Sequence, residues 1–255
     1  MGFCGSIIKW INYNLACLFC IYVMKKHLFF DLDRTLWDFD GNSKRALNQL
    51  YNDAKIEHPN FSFIAFHDHY VEVNTSLWKS YGKKEITKEF LRDERFRKTL
   101  ENWKLDSPKL IKHFSDGYVE LSPKQTELFP NTLETLSELK KIGYEMHIIT
   151  NGFKEVQYIK LENCKLRTFF DIIVCSEEVG FNKPDPKIFQ FAMNKAGATA
   201  ENSFMIGDDY EVDILGAERV GMKTIHFNPQ IEEKQIKHIN QITNLSQLPW
   251  KLLEL

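Results

Sequence analysis

Two carboxylates stand two residues apart in the run His27-Leu28-Phe29-Phe30-Asp31-Leu32-Asp33-Arg34-Thr35, directly after an apolar stretch. Strand alternation aims both side chains to the same side, where two unshielded charges repel unless one takes a proton or a cation binds. More acidic groups follow far along the chain, in Gly207-Asp208-Asp209-Tyr210-Glu211-Val212-Asp213. Oxygen ligands clustered in this way suit Mg²⁺, which takes one or two carboxylates and shares substrate phosphate oxygens. Thr150, with Asn151 after it, offers a hydroxyl and nearby backbone N–H groups, and Lys183 offers a cation. Together they would make an anion cradle. A carboxylate nucleophile, a second carboxylate as acid and base, Mg²⁺ and a lysine form a coherent apparatus for phosphoryl transfer. Each piece alone is commonplace, since an Asp at a strand end is often a cap and Thr-Asn-Gly is a common turn. Their weight comes from the elements that carry them.

From Pro130 onward, short apolar runs alternate with amphipathic helical patterns. The spacing predicts helices over 132–141, 156–164, 186–196 and 212–220, and strands over 144–150, 171–175, 203–207 and 223–227. Glycines 143, 197 and 221 close three of the helices. Buried strands alternating with helices predict a parallel sheet covered on both faces, with residues 27–31 as a further strand. In such doubly wound sheets the ligand site lies beyond the carboxyl ends of the strands. Asp31 and Asp33, Thr150 and Asn151, and Asp208, Asp209 and Asp213 all fall at those ends. Between the first and second strands, from Ser43 as N-cap to roughly Leu121, the pattern is helical and rich in aromatics, which reads as a small helical bundle with its own core. The expected organisation is thus a core of 24–40 and 124–255, interrupted by a helical insert over 41–123.

Composition narrows the function classes. The 255-residue chain is 43% apolar and 27% charged, as a globular protein with a real core requires. Lys+Arg 33 against Asp+Glu 35 leaves a formal charge of −2, against the basic surplus of a nucleic-acid binder. The 5 cysteines are odd in number and show no CxxC zinc spacing, so a reducing compartment, the cytoplasm, is expected. Residues 1–23 stand apart. Their uninterrupted apolar run, 15–23, is shorter than the about 20 residues that span a bilayer, and no signal-peptide cleavage site follows. Three readings are open: a start at Met24 with over-read sequence before it, a weak membrane anchor flanked by Lys25 and Lys26, or a helix packed on the domain. Met1-Gly2 with Ser6 also matches the short myristoylation pattern.

Over essentially all of 24–230 the chain resembles the haloacid-dehalogenase-like (HAD) hydrolase superfamily. The pattern DxDxT appears as Asp31, Asp33 and Thr35, followed in order by Thr150, by Lys183 in Asn182-Lys183-Pro184-Asp185-Pro186, and by the acidic group 207–213. The runs FFDLDRTLWDF, FPNTLETLSELK, IITNGF and EVGFNKPDPKIF are similar to the pyrimidine 5′-nucleotidase branch. The resemblance implies an α/β fold with a Rossmann-like core and a helical cap of the C1 type, a lid that excludes water and selects substrate. It implies a Mg²⁺-dependent phosphatase on a small phosphomonoester, a nucleoside monophosphate, existing as monomer or homodimer without nucleic-acid or membrane partners. Asp31 would attack phosphorus, and Asp33 would protonate the leaving oxygen and then activate water. Thr150, Asn151 and Lys183 would hold the phosphoryl oxygens, and Asp31, the Asp33 carbonyl and Asp208 would hold the metal. Asp209 or Asp213 would assist it, the branch having a small hydroxyl residue where this chain has Asp209. Alternatives are a phosphatase on another metabolite such as a sugar phosphate, a haloacid dehalogenase, which does not need Asp33 as acid and base, or a non-catalytic binding module.

Overall fold

The computed structural model describes residues 25–230 and 240–255. The readings made for residues 1–23 lie outside them. Six parallel strands form one sheet: β1 (His27–Phe30), β2 (Glu145–Thr150), β3 (Ile172–Cys175), β4 (Ser203–Gly207), β5 (Lys223–Phe227) and β6 (Gln241–Ile242), in the order β3-β2-β1-β4-β5-β6. Their unbroken apolar runs follow from burial on both faces. Leu28, Phe30, Ile148, Ile206 and Ile225 pack into one face's core, and Phe29, Ile149 and Met205 into the other's. The chain winds outward from β1 through β2 to β3, then returns to β4 on the opposite flank. The crevice between the ends of β1 and β4 is therefore the switch point of the sheet.

The insert that follows β1 carries four helices, α1 (Phe39–Ala54), α2 (Phe63–Gly82), α3 (Lys88–Glu101) and α4 (Pro108–Leu121). Ser62, Thr87 and Ser107 cap the last three, each accepting a bond from the backbone N–H three residues on. Leu47, Phe61, Phe66, Tyr70, Phe96 and Phe114 form the insert's own core. The expected bundle aromatics do not all belong to it. Phe90 is exposed, while Trp78 and Tyr81 pack with Leu77 and Leu91 against Phe153, in the loop after β2. Two connections join the insert to the sheet, and they run side by side. Trp37 bridges Leu128 in antiparallel fashion, Phe129 N donates to Leu36 O at 3.0 Å, and Asn42 Nδ2 donates to Glu127 O at 2.8 Å.

Most expected bounds hold to within two residues, but two helix starts differ in how they are capped. Helix α1 starts at Phe39 because Asp38, an earlier cap, accepts from Gly41 N at 3.1 Å. Ser43 lies buried inside the helix, 2.8 Å from the Tyr118 hydroxyl. The expected helix over 212–220 begins instead as a π-helical turn, Tyr210–Ile214, which Asp209 caps through Glu211 N and Val212 N. The rest of the core comprises α5 (Thr132–Ile142), α6 (Lys154–Asn163), α7 (Ser176–Val179), α8 (Pro186–Ala196), α9 (Leu215–Glu218) and α10 (Leu248–Leu253). Strand β6 and α10 follow the last expected element. Among the described residues no helix is long and apolar enough to cross a membrane.

At the end of the sheet where β1 and β2 begin, His27 Nδ1 and His147 Nε2 share a proton-bearing contact of 3.1 Å. Both rings are buried. Burial, aided by neighbouring His27 and opposed by Glu145, pushes His147 down to about 4. The unfolded chain binds that proton near the ordinary histidine value of about 6.5, so stability is complete above that pH and falls as pH drops from there through about 4. The expected loss at pH 4 is about 3 kcal/mol from this group. Denaturant midpoints of wild type and His147→Leu at pH 7 and pH 4.5 check this. Equal acid sensitivity of the two proteins would overturn it.

Candidate active site

Strand β1 ends by handing Asp31 N to Ile206 O at 2.9 Å, which sets Asp31 in register beside the end of β4. Asp31, Lys183 and Asp213 are 7%, 3% and 1% exposed, so their charges face one another rather than water. Lys183 Nζ lies 2.6 Å from Asp31 Oδ1 and 2.7 Å from Asp213 Oδ1. Asp208 joins them: one carboxylate oxygen each of Asp31, Asp208 and Asp213 falls within 4.8 Å of the other two. Thr35 Oγ1 donates to Asp208 Oδ1 at 3.3 Å, and His226 Nε2 donates to the Asp208 carbonyl at 2.9 Å. Gly207 is required here, because a Cβ at that position would stand 2.2 Å from Asp213 Oδ2.

Two buried carboxylates and a half-buried one against one ammonium leave an excess of negative charge. Burial, with the charges of Asp213 and Asp33 and against Lys183, raises Asp31 to about 7. Burial, with Asp31 and Asp213 and against Arg34 and Lys183, raises Asp208 to about 8. Burial also raises Asp213, and Lys183 opposes it. Burial alone would lower Lys183, but the Asp213 and Asp31 carboxylates outweigh it and hold the ammonium above its usual value. Clustered hard oxygen donors with surplus charge are what a divalent cation such as Mg²⁺ requires, so the residues present fit that ion.

Asp33 sits across the site with partners that sequence reading did not find. Lys160 Nζ reaches its Oδ1 at 2.5 Å and Gln157 Nε2 its Oδ2 at 2.9 Å. The Lys160 ammonium also lies 4.0 Å from the Trp37 ring centroid. A signal for both residues exists in the sequence. Helical spacing places Gln157 and Lys160 on the same stripe of α6 as buried Leu161 and Cys164, where polar side chains need a reason.

Thr150 Oγ1 accepts from Gln157 Nε2 at 2.6 Å and from Gly152 N at 3.1 Å. With both lone pairs occupied, its own proton is free to donate, the property an anion site needs. The Asn151 side chain is turned away from such a role. Its Oδ1 accepts from Lys183 N at 2.8 Å, and its Nδ2 donates to Lys183 O at 3.0 Å. The pair ties the loops after β2 and β3 together, leaving only backbone groups of Asn151 for an anion. Asp209 is likewise spent on capping, whereas Asp213 lies in the charged cluster. Above these groups, a cleft of about 50 Å³ between insert and core is lined by Asp33, Phe39, Trp78, Arg95, Tyr118 and Phe153 among others. It has room for a few waters at most.

The profile described as haloacid dehalogenase-like hydrolase matches residues 28–227, a span that takes in every group named above. The chain belongs to that family. As a HAD hydrolase it is similar to 5′-nucleotidases in sequence. It is 35% identical over 211 residues to the pyrimidine 5′-nucleotidase YjjG of Escherichia coli, covering 81% of this chain and 88% of that one. It is 32% identical over 226 residues to a glyceraldehyde 3-phosphate phosphatase of Methanothermobacter thermautotrophicus, covering 86% and 92%. The structure of the HAD-hydrolase YfnB of Bacillus subtilis, described as magnesium-bound and as revealing interdomain movement, superposes with a TM-score of 0.80 at 26% identity, over 91% of this chain and 99% of that one. The expected Rossmann-like α/β core is therefore the fold of this HAD hydrolase.

Proposed function

We propose that this HAD hydrolase is a phosphatase that works through an aspartyl-phosphate on Asp31, with nucleoside monophosphates as substrates. The observation that carries the reading is the second carboxylate. Asp33 stands at the mouth of the site, held by Lys160 and Gln157, where a proton can pass to a leaving oxygen. A dehalogenase has no such proton to deliver. In the first step an Asp31 oxygen bonds to phosphorus, the ester P–O bond breaks, and Asp33 gives its proton to the departing alkoxide. In the second, water attacks phosphorus, the Asp31 acyl-phosphate bond breaks, and Asp33 recovers a proton from that water. Lys183 and the free Thr150 hydroxyl bind the phosphoryl oxygens throughout. Asp31, Asp208 and the Asp33 carbonyl would hold Mg²⁺, with Asp213 supporting the site through Lys183. When bound, the ion supplies positive charge opposite the phosphoryl group.

The nucleotide assignment draws on the 35% identical nucleotidase and on the aromatic lining of the cleft. The insert, over 41–123, serves as the lid. Buried free thiols at Cys164 and Cys175 suit a cytoplasmic enzyme. The test is steady-state hydrolysis of a panel of nucleoside monophosphates and sugar phosphates, with Mg²⁺ and after chelation. Uridine and thymidine monophosphates, ribo or deoxy, should outrank sugar phosphates in kcat/KM, and chelation should remove activity that Mg²⁺ restores. A preference for sugar phosphates would overturn the nucleotide assignment. Full activity after exhaustive chelation would overturn the metal.

A further inference from the structure

Three arginines cluster on α3, and the structure separates them. Arg97 pairs along the helix surface with Glu94 at 2.6 Å and Glu101 at 3.0 Å. Arg95 does the opposite. It is 4% exposed, and its Nε has no hydrogen-bond partner. Its guanidinium has aromatic neighbours instead, 4.6 Å from the Tyr118 ring centroid and 5.2 Å from that of Phe96. Aromatic faces attract a cation but accept no directed N–H bond of ordinary strength. An unpaired buried guanidinium is costly, and an acceptor arriving in the cleft would offset that cost. Arg95 lines the same cleft as Asp33, so what arrives there is the part of the substrate that leaves.

The chemistry of that partner can be narrowed. A guanidinium carries only donors, so the partner must be an acceptor oxygen or nitrogen. Phe39, Trp78, Tyr118 and Phe153 line the same cleft, and an aromatic lining is suited to a planar ring and unsuited to a chain of hydroxyls. A planar ring bearing an acceptor, joined through a sugar to the phosphate, meets both demands.

We infer that Arg95 is the residue by which the insert reads the nucleobase, donating to a ring carbonyl of the leaving nucleoside while the aromatic lining stacks on the ring. The inference rests on the nucleotide reading above and goes beyond it in assigning recognition to one residue. Uridine 5′-monophosphate and ribose 5-phosphate carry the same type of phosphoester and differ in the base. Their kcat/KM ratio is therefore the quantity to measure, in wild type, Arg95→Met and Arg95→Lys, with thermal melting of each. Arg95→Met should lower the ratio about 10- to 100-fold, mainly through KM for the nucleotide, as expected for losing a bond to a charged donor. Arg95→Lys should recover part of it, since it keeps the charge and loses the planar fork. A wild-type preference for the nucleotide that survives Arg95→Met would overturn the role of Arg95 and leave the nucleotidase reading standing. Equal losses on both substrates with a lower melting temperature would show a structural role and also overturn it. A wild type that does not prefer the nucleotide would remove the nucleotide reading first, and this inference with it.

Discussion

Replacing Asp31 by Asn is expected to abolish phosphate release, by about 10⁴-fold or more, the scale on which loss of an attacking group is felt. The amide fills nearly the same space but cannot bond to phosphorus and leave again. It also removes one of three clustered carboxylates, two of which contact Lys183, so like-charge repulsion falls. The metal-free variant should therefore melt no lower than metal-free wild type, which separates a chemical defect from a folding one. Single-turnover assays with a trapped phosphoenzyme check the mechanism directly. Turnover near the wild-type rate would sink the covalent pathway and move the nucleophile elsewhere.

Lys183→Met should damage both stability and rate. The lysine is the shared counter-ion of Asp31 and Asp213, all three nearly inaccessible to water. Breaking a buried pair by removing one member costs about 3–5 kcal/mol, because the remaining charges stay buried and unpaired. Denaturant unfolding at pH 7.5 reads the loss. The double variant Lys183→Met/Asp213→Asn should regain a large part of the stability, since it removes a stranded charge, yet none of the turnover. A single variant that loses less than about 1 kcal/mol would show that Lys183 does not neutralise this cluster.

Strands β4 and β5 match their expected spans, because apolar runs between turn residues have few competing arrangements. The start of α1 differs from the expected one because Asp38 and Ser43 are both competent caps, and local pattern cannot rank them. The pairing of Glu127 with Asn42, 85 residues apart, is what favours the earlier one. Asp31, Lys183, Asp208 and Asp213 converge because each follows a strand of one parallel sheet. Lys160 and Gln157 carry no such local mark for the opposite reason: they ride on a helix whose turn toward Asp33 is a tertiary fact. Arg95 was one of three similar arginines until packing hid it. Asn151 and Asp209 show the reverse, residues of the right type whose side chains are taken up by backbone.

The paired connections between insert and sheet limit how the molecule can open. Two separate tethers would let the insert tumble, but Trp37 and Leu128 are bridged and their neighbours are laced by backbone bonds, so the tethers behave as one ribbon. A ribbon bends about a single axis. In the proposed mechanism, the swing that admits a substrate too large for the closed cleft would turn about that ribbon, breaking the contacts of Lys84 and Lys88 with the core. Trp37 is part of that ribbon and also lies beneath the Lys160 ammonium that holds Asp33. In the proposed mechanism, the ribbon that joins insert to sheet and the carboxylate that passes the proton are thus linked through Trp37 and Lys160.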